Sequence, residues 1–227
     1  METISSGLVR KSFAVFYKDI KSELRTRYAI NAILMFAIVT VFAVSWAVGG
    51  VGVSPILQAS LLWIVIYFSS LSGLSQSFIK EEESKTAIAL KLYCPSEAIY
   101  GGKLIFNVSL LFIMNLITVP LFSILIGLDI VNLPLFLVII LLGSLGLVGA
   151  TTLIAAIISK ASVKGALFAV LSFPIILPLL IMVIRATAKA LTPEITFFDA
   201  RIEIQVSISY LIVMTIMGFF LFDLVWN

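Results

Sequence analysis

Apolar residues run along this chain in long uninterrupted blocks, and the charged residues gather between them. No Asp, Glu, Lys or Arg occurs in Tyr28–Ile79, Leu104–Leu128, Ile130–Ser159, Gly165–Ile184 or Ile204–Phe222. A helix crosses the hydrocarbon core of a bilayer with about 20 mostly apolar residues. The first block is long enough for two such helices, and Gly49–Pro55 is the natural division because Gly and Pro punctuate helices. The pattern therefore predicts six spans, at 29–48, 56–79, 104–127, 133–158, 163–184 and 205–224. The blocks are apolar throughout instead of alternating, which argues against the strands of a barrel.

Ahead of the first span the period changes. Val9, Phe13, Phe16, Tyr17, Ile20 and Leu24 recur at helical spacing, while Arg10, Lys11, Lys18, Lys21 and Arg25 fall mainly elsewhere on the wheel. Residues 1–28 are expected to form a basic amphipathic helix, an elbow that lies along the membrane, meets anionic headgroups and packs on its own bundle. A plainer reading makes these charges simple topology signals. No secretory signal is expected, because the first apolar run stands behind a long charged segment.

Composition sharpens the class. Of 227 residues 61% are hydrophobic and 12% charged, with a mean hydropathy of +1.19. A soluble domain is about 45–50% apolar and about 25% charged, so the chain reads as one all-α integral membrane unit over 1–227. The sequence has no histidine and one cysteine. Imidazole-ligated zinc or haem, His-dependent triads and an internal disulfide are thereby excluded. No phosphate-binding GxxxxGK[ST] occurs, since Gly101-Gly102-Lys103-Leu104 lacks the loop length and the hydroxyl. The chain is expected to be non-catalytic and to hydrolyse no nucleotide by itself.

The basic residues fall on one side. Arg10, Lys11, Lys18, Lys21, Arg25 and Arg27 precede the first span; Lys80, Lys85, Lys91 and Lys103 lie between the second and third; Lys160 and Lys164 lie between the fourth and fifth. Only Arg185, Lys189 and Arg201 fall on the other side. This asymmetry predicts that both termini lie in the cytoplasm.

The cytoplasmic segment 80–102 carries the most information. Glu81, Glu82 and Glu83 suit a helix N-terminus, Glu81 and Lys85 stand at i, i+4, and Ile88 with Leu92 makes an apolar contact face ahead of Pro95. A short projecting helix of this kind suits contact with another protein; the bland alternative is a solvated loop. Glu81, Glu82, Glu83, Ile88 and Leu92 are the candidate coupling residues. In span four, Gly143, Gly146 and Gly149 suit close helix packing. In span five, Pro174 and Pro178 predict a bent or broken helix and a conformational hinge. The far-side segment 185–204 reads as a mixed-charge loop that holds a short interfacial helix, contacts a periplasmic partner or is a solvated connector. Asn31, Gln58, Gln76, Asn107, Asn115 and the serines Ser69–Ser77 are the modest polar content of the spans. No centrally placed carboxylate or lysine supports an ion-coupled carrier.

The run Glu83–Pro95 followed by Gly102-Lys103-Leu104, the stretch Gly143–Ala150 and the stretch Leu171–Ile181 with its two prolines resemble, in this order, the haem exporter B (CcmB) family of the cytochrome c maturation system. Where that family often carries Asp-Gly-Ser/Thr-Leu, this chain has Glu83-Ser84-Lys85-Thr86-Ala87. The resemblance implies a permease subunit of the type V ABC exporter arrangement. It implies a separate ATP-hydrolysing subunit, a haem-handling membrane subunit, a periplasmic haem chaperone and a paired permease half or homodimer. Haem export, or ATP-driven release of the haem-loaded chaperone, is the implied work. The alternative is an ABC exporter permease for a lipid, drug or polysaccharide. Without histidine, haem ligation here would fall to Met35, Met114, Met182, Met214, Met217, Cys94 or a tyrosine. A mechanical role with no cofactor bound in this chain is therefore expected, with ATP on the partner and haem as cargo of the complex.

Overall fold

The computed structural model describes residues 2–49, 52–74, 76–83, 85–159 and 164–226. Gly50, Val51, Ser75, Ser84 and Lys160, which enter the expectations above, lie outside the described residues. The described chain forms α1 (Glu2–Thr26), α2 (Tyr28–Val48), α3 (Pro55–Leu74), α4 (Gln76–Glu83), α5 (Ala87–Tyr93), α6 (Ser96–Ile126), α7 (Leu133–Ile158), α8 (Lys164–Ala190) and α9 (Arg201–Trp226). No strand occurs among the described residues. Six helices are long and apolar enough to cross a membrane: α2, α3, α6, α7, α8 and α9.

The helix ends depart from the hydropathy boundaries for a local reason. Hydropathy marks the part of a helix that suits lipid, whereas the helix itself continues until a cap or breaker stops it. Thus α6 starts eight residues ahead of its expected span, directly after Pro95, and runs through Gly101-Gly102 without a break. It ends at Gly127, whose φ of 74 is a left-handed cap that other residues adopt with strain. Asn132 caps α7, its side-chain oxygen accepting from the Leu135 N–H at 3.1 Å.

Two expectations are narrowed here. Of the bent and broken alternatives for span five, the break is excluded, because α8 runs continuously through Pro174 and Pro178; in this stretch the Tyr210 hydroxyl donates to the Ile175 carbonyl at 3.0 Å. The far-side segment 185–204 is not mainly a loop. Arg185 to Ala190 belong to α8, Phe197–Ala200 form a short 3-10 turn, and α9 begins at Arg201, so the irregular connector is confined to the few residues between. The Thr196 and Asp199 side chains close that turn as a capping box.

Helix α7 is the centre of the bundle. Of its apolar window 61% is buried inside the protein, against 11% for α9, which leaves most of α9 exposed on the outside of the bundle. Helices α3, α6, α8 and α9 all pack on α7. Small residues make this possible. A Cβ on Gly143 would lie 2.1 Å from Trp63 Cη2, and one on Gly146 would lie 2.7 Å from a Leu179 methyl. Gly149 is different, since a Cβ there would meet Met214 at an ordinary 3.5 Å. Polar side chains add cross-helix bonds: Trp63 Nε1 donates to Thr187 Oγ1 at 2.8 Å, Asn107 Nδ2 to Thr152 Oγ1 at 2.9 Å, and Asn115 Nδ2 to Ser144 Oγ at 2.6 Å.

Contacts between loops define two ends. The Asn132 N–H donates to the Ala190 carbonyl, and Gln58 donates to the Gly127 carbonyl, so the α6–α7 connection, the start of α3 and the end of α8 share one end. At the opposite, basic end, Ser96 donates to Asp223, and α1, α4, α5 and the tail of α9 converge.

Candidate functional site

Helix α1 lies against the first half of α6, and its contact face is centred away from the aromatic stripe, of which Phe16 and Ile20 pack half-buried against the core. Ser12, Val15, Asp19 and Glu23 are buried, whereas Val9, Phe13, Tyr17 and Leu24 are exposed. The approach needs small residues on α6. A Cβ on Gly102 would lie 2.7 Å from the Ser12 carbonyl and from Val15 Cβ, so the two backbones meet only because Gly102 has no side chain. Glu23 then serves the next element, since its Oε1 accepts from the Ile30 N–H at 3.0 Å. This satisfies one of the free donors in the first turn of α2 and places a negative charge at the positive helix end.

Beside Gly102, Lys103 carries its ammonium into the same junction. It lies 2.9 Å from Asp19 Oδ2 of α1 and 2.9 Å from Glu81 Oε1 of α4. Lys18 of α1 pairs with both of these acids, at 3.1 Å to Asp19 and in direct hydrogen bond to Glu81. The Thr86 hydroxyl, at the start of α5, donates to Glu81 Oε2 and to the Glu81 carbonyl. Two acids and two lysines thus tie α1, α4, α5 and α6 together. The side chain of Lys103 is 3% exposed, those of Asp19 and Glu81 are 8% and 9% exposed, and that of Lys18 is 42% exposed. Charges removed from water this far are tolerated only when paired and hydrogen-bonded.

The electrostatics follow from the geometry. Burial by itself raises the Glu81 pKa, but the charge of Lys103 and the hydrogen bonds from Lys18 and Thr86 outweigh it and hold Glu81 down to about 2. Burial lowers the Lys18 pKa, and the charges of Asp19 and Glu81 more than reverse that, so the net direction is upward.

Above this node stands the α4–α5 hairpin. Glu81, Glu82 and Glu83, expected at the start of a projecting helix, instead end α4, and Lys85 stands in a left-handed conformation at φ 56 before α5 begins. Lys85 therefore lies beyond the end of α4, and the expected helical i, i+4 pair with Glu81 does not form; Glu81 turns inward to Lys18 and Lys103 instead. The five candidate coupling residues separate accordingly. Glu81 is buried in the node, Glu82 is half-buried and Glu83 is exposed. Ile88 and Leu92 are 69% and 79% exposed on α5, and Tyr93 joins them at the tip. Between α1 and α5 a cleft of about 530 Å³ opens, walled by Val15, Ala29, Leu90 and Phe106 and floored by Lys18, Asp19, Glu81 and Lys103.

The hairpin also reaches α9. Phe78 of α4 packs on Phe222 and Trp226, whose rings stack at 5.2 Å, and Lys91 of α5 sits over the Trp226 ring at 5.3 Å. Helix α9 runs about 39 Å from Trp226 to the opposite end of the bundle. There Glu203, buried, takes Lys189 of α8 at 2.7 Å and Arg185 at 3.8 Å. Pro174 and Pro178 are exposed on the outer side of α8. Among the methionines, Met114 is in the core while Met35 and Met217 face outward.

Reading the sequence singled out the tip of the hairpin and missed the node. Asp19 is not among the residues the sequence singled out, and Lys103 enters there only as a counted charge and within the run Gly101-Gly102-Lys103-Leu104. A signal for Asp19 was present, since Ser12, Val15, Asp19 and Glu23 are spaced as a second helical face, distinct from the aromatic one.

Comparison with known proteins adds one match. A family described as "CcmB protein" matches residues 10–221. No curated protein matches the chain.

Proposed function

The chain belongs to the CcmB protein family, and from that membership we propose that the α4–α5 hairpin receives the motion of a separate ATP-hydrolysing subunit. The family is an ABC-transporter permease component of cytochrome c maturation, concerned with haem transport. In this reading Ile88, Leu92 and Tyr93 are the docking tip. The observation that carries it is their exposure on a short helix whose base is tied into the bundle by Glu81. An apolar tip turned to water is worth covering with a partner, and a rigid base converts pressure on that tip into movement of α1, α6 and α9.

Movement of α9 reaches Glu203 and its partners on α8 at the far end. The two prolines give α8 a place to bend during that movement. The basic end faces the cytoplasm of a bacterial or archaeal inner membrane, with both termini inside, as the distribution of Lys and Arg supports. At the far end a haem-handling membrane subunit and a periplasmic haem chaperone are the proposed neighbours, and a second permease copy completes the assembly. The output is haem export or release of the haem-loaded chaperone, with no haem held by this chain.

The test is Ile88→Asp with Leu92→Asp in the full complex. Purification in mild detergent should recover the permease at wild-type yield without its ATPase, and c-type cytochromes should stop maturing. If the ATPase still co-purifies and the cytochromes mature normally, the docking assignment is wrong. A haem absorbance spectrum of the same preparations separates cargo held by this chain from cargo held by its neighbours.

A further inference from the structure

Helix α1 has three faces, each covering about a third of its circumference. The first, around Val15 and Asp19, is buried on α6. The second is apolar and exposed, formed by Val9, Phe13, Tyr17 and Leu24. Arg10, Lys11, Lys18, Lys21 and Arg25 make up the third, and all five are exposed. Among the described side chains of α1 the only acids are Asp19 and Glu23, and both are turned into the protein. Asp19 is spent on Lys18 and Lys103, and Glu23 on the first turn of α2. Arg10, Lys11, Lys21 and Arg25 pair with no described acid.

We infer that this outer surface of α1 is a binding site for anionic phospholipid headgroups. The apolar face enters the acyl boundary beside α6, and the adjoining face presents Arg10, Lys21 and Arg25 at headgroup level. The occupant is set by charge complementarity, because burying both acids leaves an unbroken cationic strip next to an aromatic one. That is the composition of helices that bind anionic bilayers and not neutral ones. Because α1 is joined through Asp19 to the node beneath the hairpin, a lipid on this surface also fixes the base from which the hairpin works. The inference stands without any assignment of the partner ATPase.

Native mass spectrometry of the detergent-solubilised full chain tests it, with phosphatidylglycerol and phosphatidylcholine supplied at equal concentration. The wild-type chain should retain phosphatidylglycerol in about tenfold preference or more, and the preference should shrink as salt rises. The variant R10Q/K21Q/R25Q should lose that preference, and the charge-conserving R10K/K21R/R25K should keep it, which controls for folding. Equal retention of the two lipids by the wild-type chain overturns the assignment. So does a neutralised variant that keeps its preference for phosphatidylglycerol, and either result returns the strip to a soluble or protein partner.

Discussion

Lys103 and Glu81 meet at 2.9 Å inside the basic end of the bundle, although 22 positions and a helical hairpin separate them in the chain. This pair, with Asp19 on its other side, is where the α4–α5 hairpin of the proposed mechanism is fastened to α1 and α6.

Removing Lys103 should therefore be severe. Lys103→Met leaves Asp19 and Glu81 buried with only the half-exposed Lys18 between them, and loss of one partner from a buried ion pair costs about 3–5 kcal/mol. Thermal melting in detergent should show the drop. Glu81→Gln added to Lys103→Met should lower stability by less than the sum of the two single changes. Strict additivity would mean that the two side chains do not act together.

The node also sets a pH window. The Glu81 pKa is held near 2, below its ordinary 4.5, so its contribution is complete above about 4.5 and is lost as the pH falls toward 2. The pKa of Lys18 is raised above 10.5, so its contribution is complete below that value and is lost only as the pH climbs past it. Stability of the wild-type chain in detergent should be level, as far as these two groups govern it, between about 4.5 and 10.5. Glu81→Gln should flatten the acid limb and also shrink the alkaline limb, leaving there only what Asp19 contributes to raising Lys18.

Three glycines of α7 provide a graded test of packing. Gly143→Ala sets a methyl against Trp63 and should disturb its bond to Thr187, with a loss of about 1–3 kcal/mol. Gly146→Ala meets the flexible end of Leu179 and should cost less. Gly149→Ala, with ordinary contact to Met214, should be close to neutral. Melting temperatures that fall in any other order would contradict this account of the close approach between α7 and its neighbours.

The prolines of α8 separate stability from turnover. Pro174→Ala and Pro178→Ala each restore a backbone donor within a helix that is already continuous. Such variants should melt no lower than wild type and should still recover the partner ATPase. Cytochrome c maturation per complex should fall if bending of α8 is part of the cycle. Undiminished maturation would remove both residues from the mechanism.

The membrane class, the six spans and the division of charge between two ends were legible in the chain because each is a sum over neighbouring residues. About 20 apolar residues suffice for a span whatever surrounds it, and a lysine counts toward a side wherever it points. The exposed tip at Ile88 and Leu92 was legible for the same reason, since apolar residues on a short helix bounded by charges have little bundle to enter. Other features were decided only by the tertiary structure. Glu81 looked like the first acid of an exposed cluster, and folding turned it inward because Lys103 and Lys18 arrive there from two other helices. Asp19 and Glu23 sit in a basic segment, and only the contact with α6 shows that their side of α1 is the buried one. Helical spacing tells which residues share a face but not which face finds a neighbour. An ion pair depends on distances between elements, and those exist only once Gly102 has let α1 come down onto α6.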